Sequence, residues 1–200
     1  YLPAKGVGLG RLEFVIASHI QIHPNALLDY PKLKNKALKR KIDLLTPGYK
    51  NKADFYVDEL AEGIAKIGAA FYPHEVIIRF SDFKTNEYRK LLGGELYEPE
   101  EENPMLGWRG ASRYYDPKFA PAFALECRAL AKVRSRMGLT NVIPMVPFCR
   151  TLGEADKTLA IMAENGLSRP ETPVYVMCEI PANVLLADQF LDLFDGMSIG

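Results

Sequence analysis

The sequence is short of the residues that mark several protein classes. It has three cysteines, Cys127, Cys149 and Cys178, an odd and widely spaced set in a chain of 200 residues. Such a set builds neither a disulfide framework nor a cysteine-rich zinc site, and it points to a reducing compartment, the cytoplasm. Net charge is also lacking, because 25 basic residues cancel 25 acidic ones. No global field therefore draws the chain to nucleic acid or to an anionic membrane. No apolar run reaches the roughly 18 residues of a membrane-spanning helix. The start, Tyr1-Leu2-Pro3-Ala4-Lys5, lacks a charged-then-apolar leader. There is no initiating Met, and the sequence stops at Ser198-Ile199-Gly200 inside a strand-like run, so the chain reads as a piece of a longer protein. Gly-x-Ser-x-Gly, Walker A and His-Glu-x-x-His motifs do not occur. His19, His23 and His74 stand apart from one another and read as surface or helix-end residues rather than metal ligands.

What is present is a globular composition, 48% apolar and 25% charged, long enough to bury a core. Helical and strand-like periodicities alternate along it. Residues 11 to 22 read as a helix that ends before His23-Pro24, since a residue preceding proline avoids the helical region. Residues 53 to 70 carry Val57, Leu60, Ala61, Ile64 and Gly68 at helical spacing. Glu75 to Phe80 is a β-branched run that predicts a buried strand. Asp116 to Met137 reads as a long helix capped by Asp116, with Pro117 at its first position and Gly138 as its stop. Asn141 to Phe148 predicts a strand in spite of Pro144. Thr151 and Glu154 have capping-box spacing, opening a helix that closes near Gly166. Pro173 to Ile180 is a further buried strand, Pro181 opens another helix, and Asp195 to Gly200 begins one more strand. Val7 to Leu9 is a possible fifth.

Apolar strands alternating with helices imply a parallel sheet, either doubly wound or part of a (β/α)8 barrel. A whole barrel takes about 250 residues, so roughly five strands of eight point to an incomplete α/β TIM barrel. Two segments depart from the alternation. Residues 29 to 52 hold the lysine-rich run Lys32 to Lys41, which reads as a solvated helix or insertion rather than a nucleic-acid patch, given the balanced charge. Residues 81 to 115 form a long connection with an acidic run, Glu98 to Glu102. Connections of this length are functional or disordered, and its aromatic content favours a functional loop.

In parallel α/β folds ligands sit at the carboxyl ends of the strands. Arg79 ends the strand Glu75 to Phe80. It either binds an anion or forms an internal salt bridge with Asp82 or a glutamate, since an unpaired arginine there costs several kcal/mol. Glu179 ends the strand Pro173 to Ile180, and a carboxylate there needs a metal, an arginine or N–H partners. Magnesium favours such oxygen ligands. Arg109 lies in a glycine-flanked loop, where a guanidinium holds a carboxylate or phosphate in two-pronged fashion, or is simply solvated. Arg11 follows Gly6-Val7-Gly8-Leu9-Gly10, a run like a phosphate-binding glycine loop but weak as a motif. Cys127, Cys149 and Cys178 read as small buried residues rather than nucleophiles.

Several longer runs carry a resemblance. They are Gly6 to Phe14, Val76 to Tyr88, Gly93 to Pro99, Glu102 to Gly110, Phe123 to Cys127, Met137 to Val142, Met177 to Ala182 and Phe194 to Gly200. In this order and over almost the whole chain they resemble the C-terminal phosphoenolpyruvate/pyruvate-binding domain of the phosphoenolpyruvate-utilising enzymes. Ser81 to Tyr88 resembles most the branch that makes phosphoenolpyruvate, AMP and phosphate from ATP, pyruvate and water. The pyruvate phosphate dikinase and phosphotransferase-system enzyme I branches share only the Asn-Pro-x-Leu-Gly-x-Arg and Glu-Ile-Pro motifs.

The resemblance implies an incomplete barrel, roughly strands 2 to 6, with a long active-site loop insertion. It implies pyruvate or phosphoenolpyruvate bound with Mg²⁺. Arg11 and Arg79 would hold phosphoryl oxygens, Arg109 would be a third substrate-binding arginine of the same cluster, Glu179 would bind Mg²⁺ and substrate, and Gly200 would touch substrate through its backbone. It also implies partner domains in the same full-length chain, one carrying a phosphohistidine and one binding ATP, within a homo-oligomer. The family's second metal ligand and its proton-donating cysteine have no counterpart among these residues, so the segment alone is expected to be inactive, and it is expected to be poorly folded because an open barrel exposes two sheet edges. A non-catalytic anion-binding module is the rival expectation.

Overall fold

In the computed structural model, which describes residues 3–199, five short runs become one sheet. Strands β1 (Val7–Arg11), β2 (Val76–Arg79), β3 (Val142–Val146), β4 (Tyr175–Cys178) and β5 (Gly196–Ile199) lie side by side in chain order, every pair parallel. Parallel neighbours need a crossover, and helices supply each one. Between β1 and β2 run α1 (Leu12–Val15), a π-helical turn Ile16–Ile20, α2 (Pro24–Leu28), α3 (Lys36–Leu45) and α4 (Lys52–Phe71). Between β2 and β3 come α5 (Thr85–Tyr88), α6 (Ala111–Tyr114) and α7 (Ala120–Ser135). Helix α8 (Leu152–Glu164) joins β3 to β4, and α9 (Pro181–Leu185) with α10 (Ala187–Leu193) joins β4 to β5. A doubly wound sheet would reverse its strand order at a switch point. Strictly sequential order is that of an incomplete barrel.

Side chains alternate across the strands, so the sheet has two apolar faces. Val76, Ile78, Val142, Val146 and Val176 pack beneath the helices in the main core. Ile77, Ile143 and Met145, with Tyr175 and Met177, form a second, smaller cluster on the opposite face, the barrel interior. Arg79 shares the Ile77 face by the period of two, so its side chain belongs to the interior end of the strand.

Two sequence expectations change. The long helix opens at Ala120 rather than Asp116. The Asp116 side chain accepts from Lys118 N–H, and its carbonyl accepts from Phe119 and Ala120 N–H, which makes a turn leading into α7. Pro121 therefore fills the first-turn role expected of Pro117. The glycine run is strand from Val7 onward, not a phosphate cradle. Val7 pairs with Val76 but Gly10 pairs with Ile78, so β1 carries a bulge that brings Arg11 opposite Arg79. Pro144, in turn, sits mid-sheet without loss, because the β3–β4 ladder begins only at Met145.

The lysine-rich run behaves as a solvated helix: Leu38 and Ile42 of α3 are buried and its lysines lie outside. The connection from residue 81 to 115 is ordered by a buried charged node. Arg113 and Glu98 are buried and meet through two hydrogen bonds of 2.7 and 2.8 Å. His23 caps α2 by accepting Asn25 N–H at Nδ1, which leaves Nε2 to donate to Glu98 Oε1 at 2.8 Å. Burial holds that imidazole below its ordinary pKa although Glu98 opposes the shift. Arg113 also lies 4.0 Å over the Trp108 ring. The acidic run is thus tied down: Glu100 pairs with Arg89, and Glu101 accepts from Thr85 Oγ and Trp108 N–H.

Candidate functional site

The carboxyl ends of β1 to β4 bring the sequence-derived residues to one rim. Arg11 and Arg79 are the last residues of neighbouring strands and sit in register. Arg11 is exposed, stacks 4.8 Å over Phe14, and has no carboxylate within salt-bridge distance among the described residues. Arg79 takes the internal pairing the sequence left open. Its Nη2 donates to Glu13 Oε1, and its Nη1 lies 3.9 Å from Asp82 Oδ2. Glu13 also accepts the Asp82 N–H at 2.8 Å, which ties α1 to the turn after β2.

Arg109 arrives from the long connection. Its Nε donates to Asp82 Oδ1 at 3.0 Å and its Nη2 to Oδ2, a two-pronged grip on a carboxylate whose side chain is 1% exposed. Asp82 holds the guanidinium's pKa above its ordinary value. One buried carboxylate therefore faces two arginines and fixes both, and Arg109 Nη1 also donates to the Met105 carbonyl at 3.3 Å.

Glu179 follows β4 and is exposed at the rim. Its Oε1 accepts the Phe148 N–H at 2.7 Å. Desolvation holds the carboxyl above its ordinary pKa and Asp82 adds to this, while Phe148 N–H, Arg79 and Arg109 act against them. Asn183, fully buried, accepts from the N–H groups of Glu179 and Ile180 and donates to the Cys149 carbonyl at 2.8 Å. It locks the turn after β4 to the end of β3. Gly200 lies outside the described residues.

No group of three or more His, Cys, Asp or Glu side chains able to hold a metal exists among the described residues. Glu179 is a single carboxylate with a solvent-facing oxygen beside arginines. Magnesium takes such a donor with water and substrate oxygens rather than a full protein cage, so the residues present fit that ion. The thiols are poor candidates for chemistry. Cys127 and Cys149 are buried, and burial pushes Cys149 up to about 12.

Glu13, Asn183 and Arg150 were not singled out in the sequence. Glu13 stands two residues after Arg11, on the helix leaving the same strand, and that spacing was its only signal. Arg150 follows the Pro-Phe end of β3. It donates to backbone carbonyls of the loop that carries Arg109.

A parallel barrel segment with arginines and carboxylates converging at its strand ends defines a binding domain for a small oxygen-rich anion. Residues 1–200 match the family described as PEP-utilising enzyme, PEP-binding domain, and the chain belongs to that family. It is 58% identical over 201 residues to phosphoenolpyruvate synthase of Synechocystis sp., covering 99% of this chain and 25% of that protein. Identity is 58% to phosphoenolpyruvate synthase of Deinococcus radiodurans, covering 100% of this chain and 26% of that protein. To phosphoenolpyruvate synthase of Escherichia coli it is 53%, covering 100% and 25%. The chain spans about a quarter of the length of the curated relatives it matches. No helix among the described residues is long and apolar enough to cross a membrane.

Proposed function

We propose that this chain is the phosphoenolpyruvate- and pyruvate-binding part of a phosphoenolpyruvate synthase, the enzyme that turns ATP, pyruvate and water into phosphoenolpyruvate, AMP and phosphate. The observation that carries the reading is the juxtaposition of Arg11, Arg79 and Arg109 with Glu179 at the strand ends, in a chain more than half identical to synthases along its whole length. Arg79 and Arg109 bind phosphoryl oxygens with the donors that Glu13 and Asp82 leave free. Glu13 and Asp82 keep the two guanidinium planes from rotating, so little ordering remains to be done when the anion arrives. Arg11, which has no carboxylate within salt-bridge distance among the described residues, turns inward to the same oxygens. Glu179 would hold Mg²⁺. When bound, that ion stabilises the negative charge that develops on the enolate oxygen.

In this reading Gly200 contacts substrate through its backbone. Phosphohistidine-bearing and ATP-binding domains of the same protein deliver the phosphoryl group, and the enzyme works as a cytoplasmic homo-oligomer. The test is calorimetric titration of the intact protein with phosphoenolpyruvate and Mg²⁺. Arg79→Ala and Arg109→Ala should each weaken binding by about 100-fold or more, the size expected for a charge-assisted pair. Unchanged affinity in both variants would remove the site from this rim. Turnover with water, and not phosphate, as the second phosphoryl acceptor separates a synthase from its dikinase relatives.

A further inference from the structure

We propose that Arg150 is a positioning residue that clamps the 103–110 loop onto the end of β3 and thereby sets Arg109 for anion binding. This rests on the reading of Arg109 given above.

Arg150 is held differently from the two carboxylate-paired arginines of the rim. Arg79 and Arg109 face carboxylates, whereas Arg150 has none within salt-bridge distance among the described residues. Its donors go instead to one loop. Nη2 donates to the Gly107 carbonyl at 2.8 Å and to the Leu106 carbonyl at 3.4 Å. Nη1 reaches the Arg109 carbonyl at 3.5 Å and Ser112 Oγ at 3.1 Å, and Ser112 Oγ itself donates to the Arg109 carbonyl at 2.9 Å. A planar fork with several donors bridges consecutive carbonyls in a way that a lysine cannot.

The Phe148 ring completes the clamp. The guanidinium carbons of Arg109 and Arg150 each lie 4.5 Å from its centroid. Cation–π attraction therefore acts on both arginines through one ring. Phe148 is held at φ +48°, a left-handed conformation rare for a bulky side chain. Its N–H points at Glu179, and its ring meets the two arginines. Strain kept at such a place is a mark of function. The loop and the end of β3 meet closely at Gly110 as well. Gly110 has φ +58°, and a Cβ there would come within 2.5 Å of Phe148 Cβ and 2.7 Å of the Pro147 carbonyl. Ala111 N–H donates to that same carbonyl at 3.2 Å. The backbone of Arg150 is fixed in turn, its N–H donating to Glu154 Oε2 at 2.7 Å on α8. The clamp thus joins the loop of Arg109 to a base that also holds Glu179.

The test is a double-mutant cycle in the intact protein, read by calorimetric titration with phosphoenolpyruvate and Mg²⁺ and by hydrogen exchange of the amides at 106–111. Arg150→Ala should weaken binding by about 10-fold and speed exchange of those amides by a similar factor. In the Arg109→Ala background, Arg150→Ala should add less than about 2-fold, because its effect passes through Arg109. Arg150→Lys, which keeps the charge and loses the fork, should recover little of the affinity. Ser112→Ala, a milder change, should show a smaller loss in the same direction and guards against misfolding of the first variant. Unchanged affinity in Arg150→Ala, where Arg109→Ala still loses binding, would overturn the proposal and leave the reading of Arg109 intact. So would a loss that persists at full size in the double variant. If Arg109→Ala itself binds normally, the reading of the site fails first and the proposal falls with it.

Discussion

Glu126 of α7 is fully buried beneath the end of β2, where Ser81 N–H and Ser81 Oγ both donate to its carboxyl group. Tyr88 OH touches the same serine hydroxyl, Tyr114 OH donates to the Ser81 carbonyl, and Glu13 adds a like charge nearby. Burial dominates and pushes the carboxyl from its ordinary 4.5 up to about 7, against the pull of the Ser81 hydrogen bonds. The folded chain therefore holds a proton that the unfolded chain releases at lower pH. Stability falls as pH rises through this window and levels off above it. The loss is at most about 3 kcal/mol, the free energy of a few-hundred-fold change in proton affinity. Glu126→Gln removes the charge and keeps an acceptor for Ser81 N–H, and its amide N–H can donate to Ser81 Oγ once that hydroxyl turns to donate to Tyr88 OH. Urea denaturation of the intact protein at pH 5.5 and pH 8 should show the variant gaining on the wild type at the higher pH. An equal difference at both values would count against the assignment.

The residue scale is also where the sequence was least legible. The partners of Arg79 could be narrowed to Asp82 or a glutamate. Which glutamate could not, since Glu13 lies 66 positions away on another crossover. Arg150 was invisible for the same reason: its role depends on carbonyls about 40 residues earlier, and carbonyls leave no trace in composition.

At the scale of elements, strands and crossovers were readable because β-branched runs and helical spacing are local. Boundaries moved where a turn competed with a helix, as at Asp116, whose short side chain satisfies the turn instead of the cap. The connection 81–115 was read as a functional loop, but the place of its 103–110 segment was not legible, since its seat on β3 is tertiary. Gly110 defines that seat. Gly110→Ala adds a Cβ at positive φ against Phe148 and Pro147, so the loop must lift. A cost of about 2 kcal/mol is expected from the backbone conformation and the clash together. Binding of phosphoenolpyruvate should fall while the far-ultraviolet circular dichroism stays that of the parent protein. Unchanged binding would mean that the loop tolerates displacement.

At the scale of the whole molecule, the described strands form an open sheet whose outer members are β1 and β5. Leu9 is 44% exposed on one edge and Ile199 78% on the other. Unpaired N–H and C=O groups beside apolar side chains invite strand-to-strand association. These 200 residues expressed alone should sediment as a concentration-dependent mixture and melt over a broad range. A monomer with one sharp thermal transition would contradict this.

The carboxylates at the rim carry a consequence for how fast a ligand arrives. Formal charges there are four positive, on Arg11, Arg79, Arg109 and Arg150, and four negative, on Glu13, Asp82, Glu154 and Glu179. They cancel, as 25 and 25 cancel over the full sequence. A dianion approaching from solvent meets close-range donors but almost no far field, so its encounter rate rests on diffusion rather than on steering. On the proposed function, raising the salt from about 20 to about 200 mM should change kcat/KM of the intact protein for pyruvate by less than about 2-fold. A steep decline would reveal attraction supplied by charges beyond this rim.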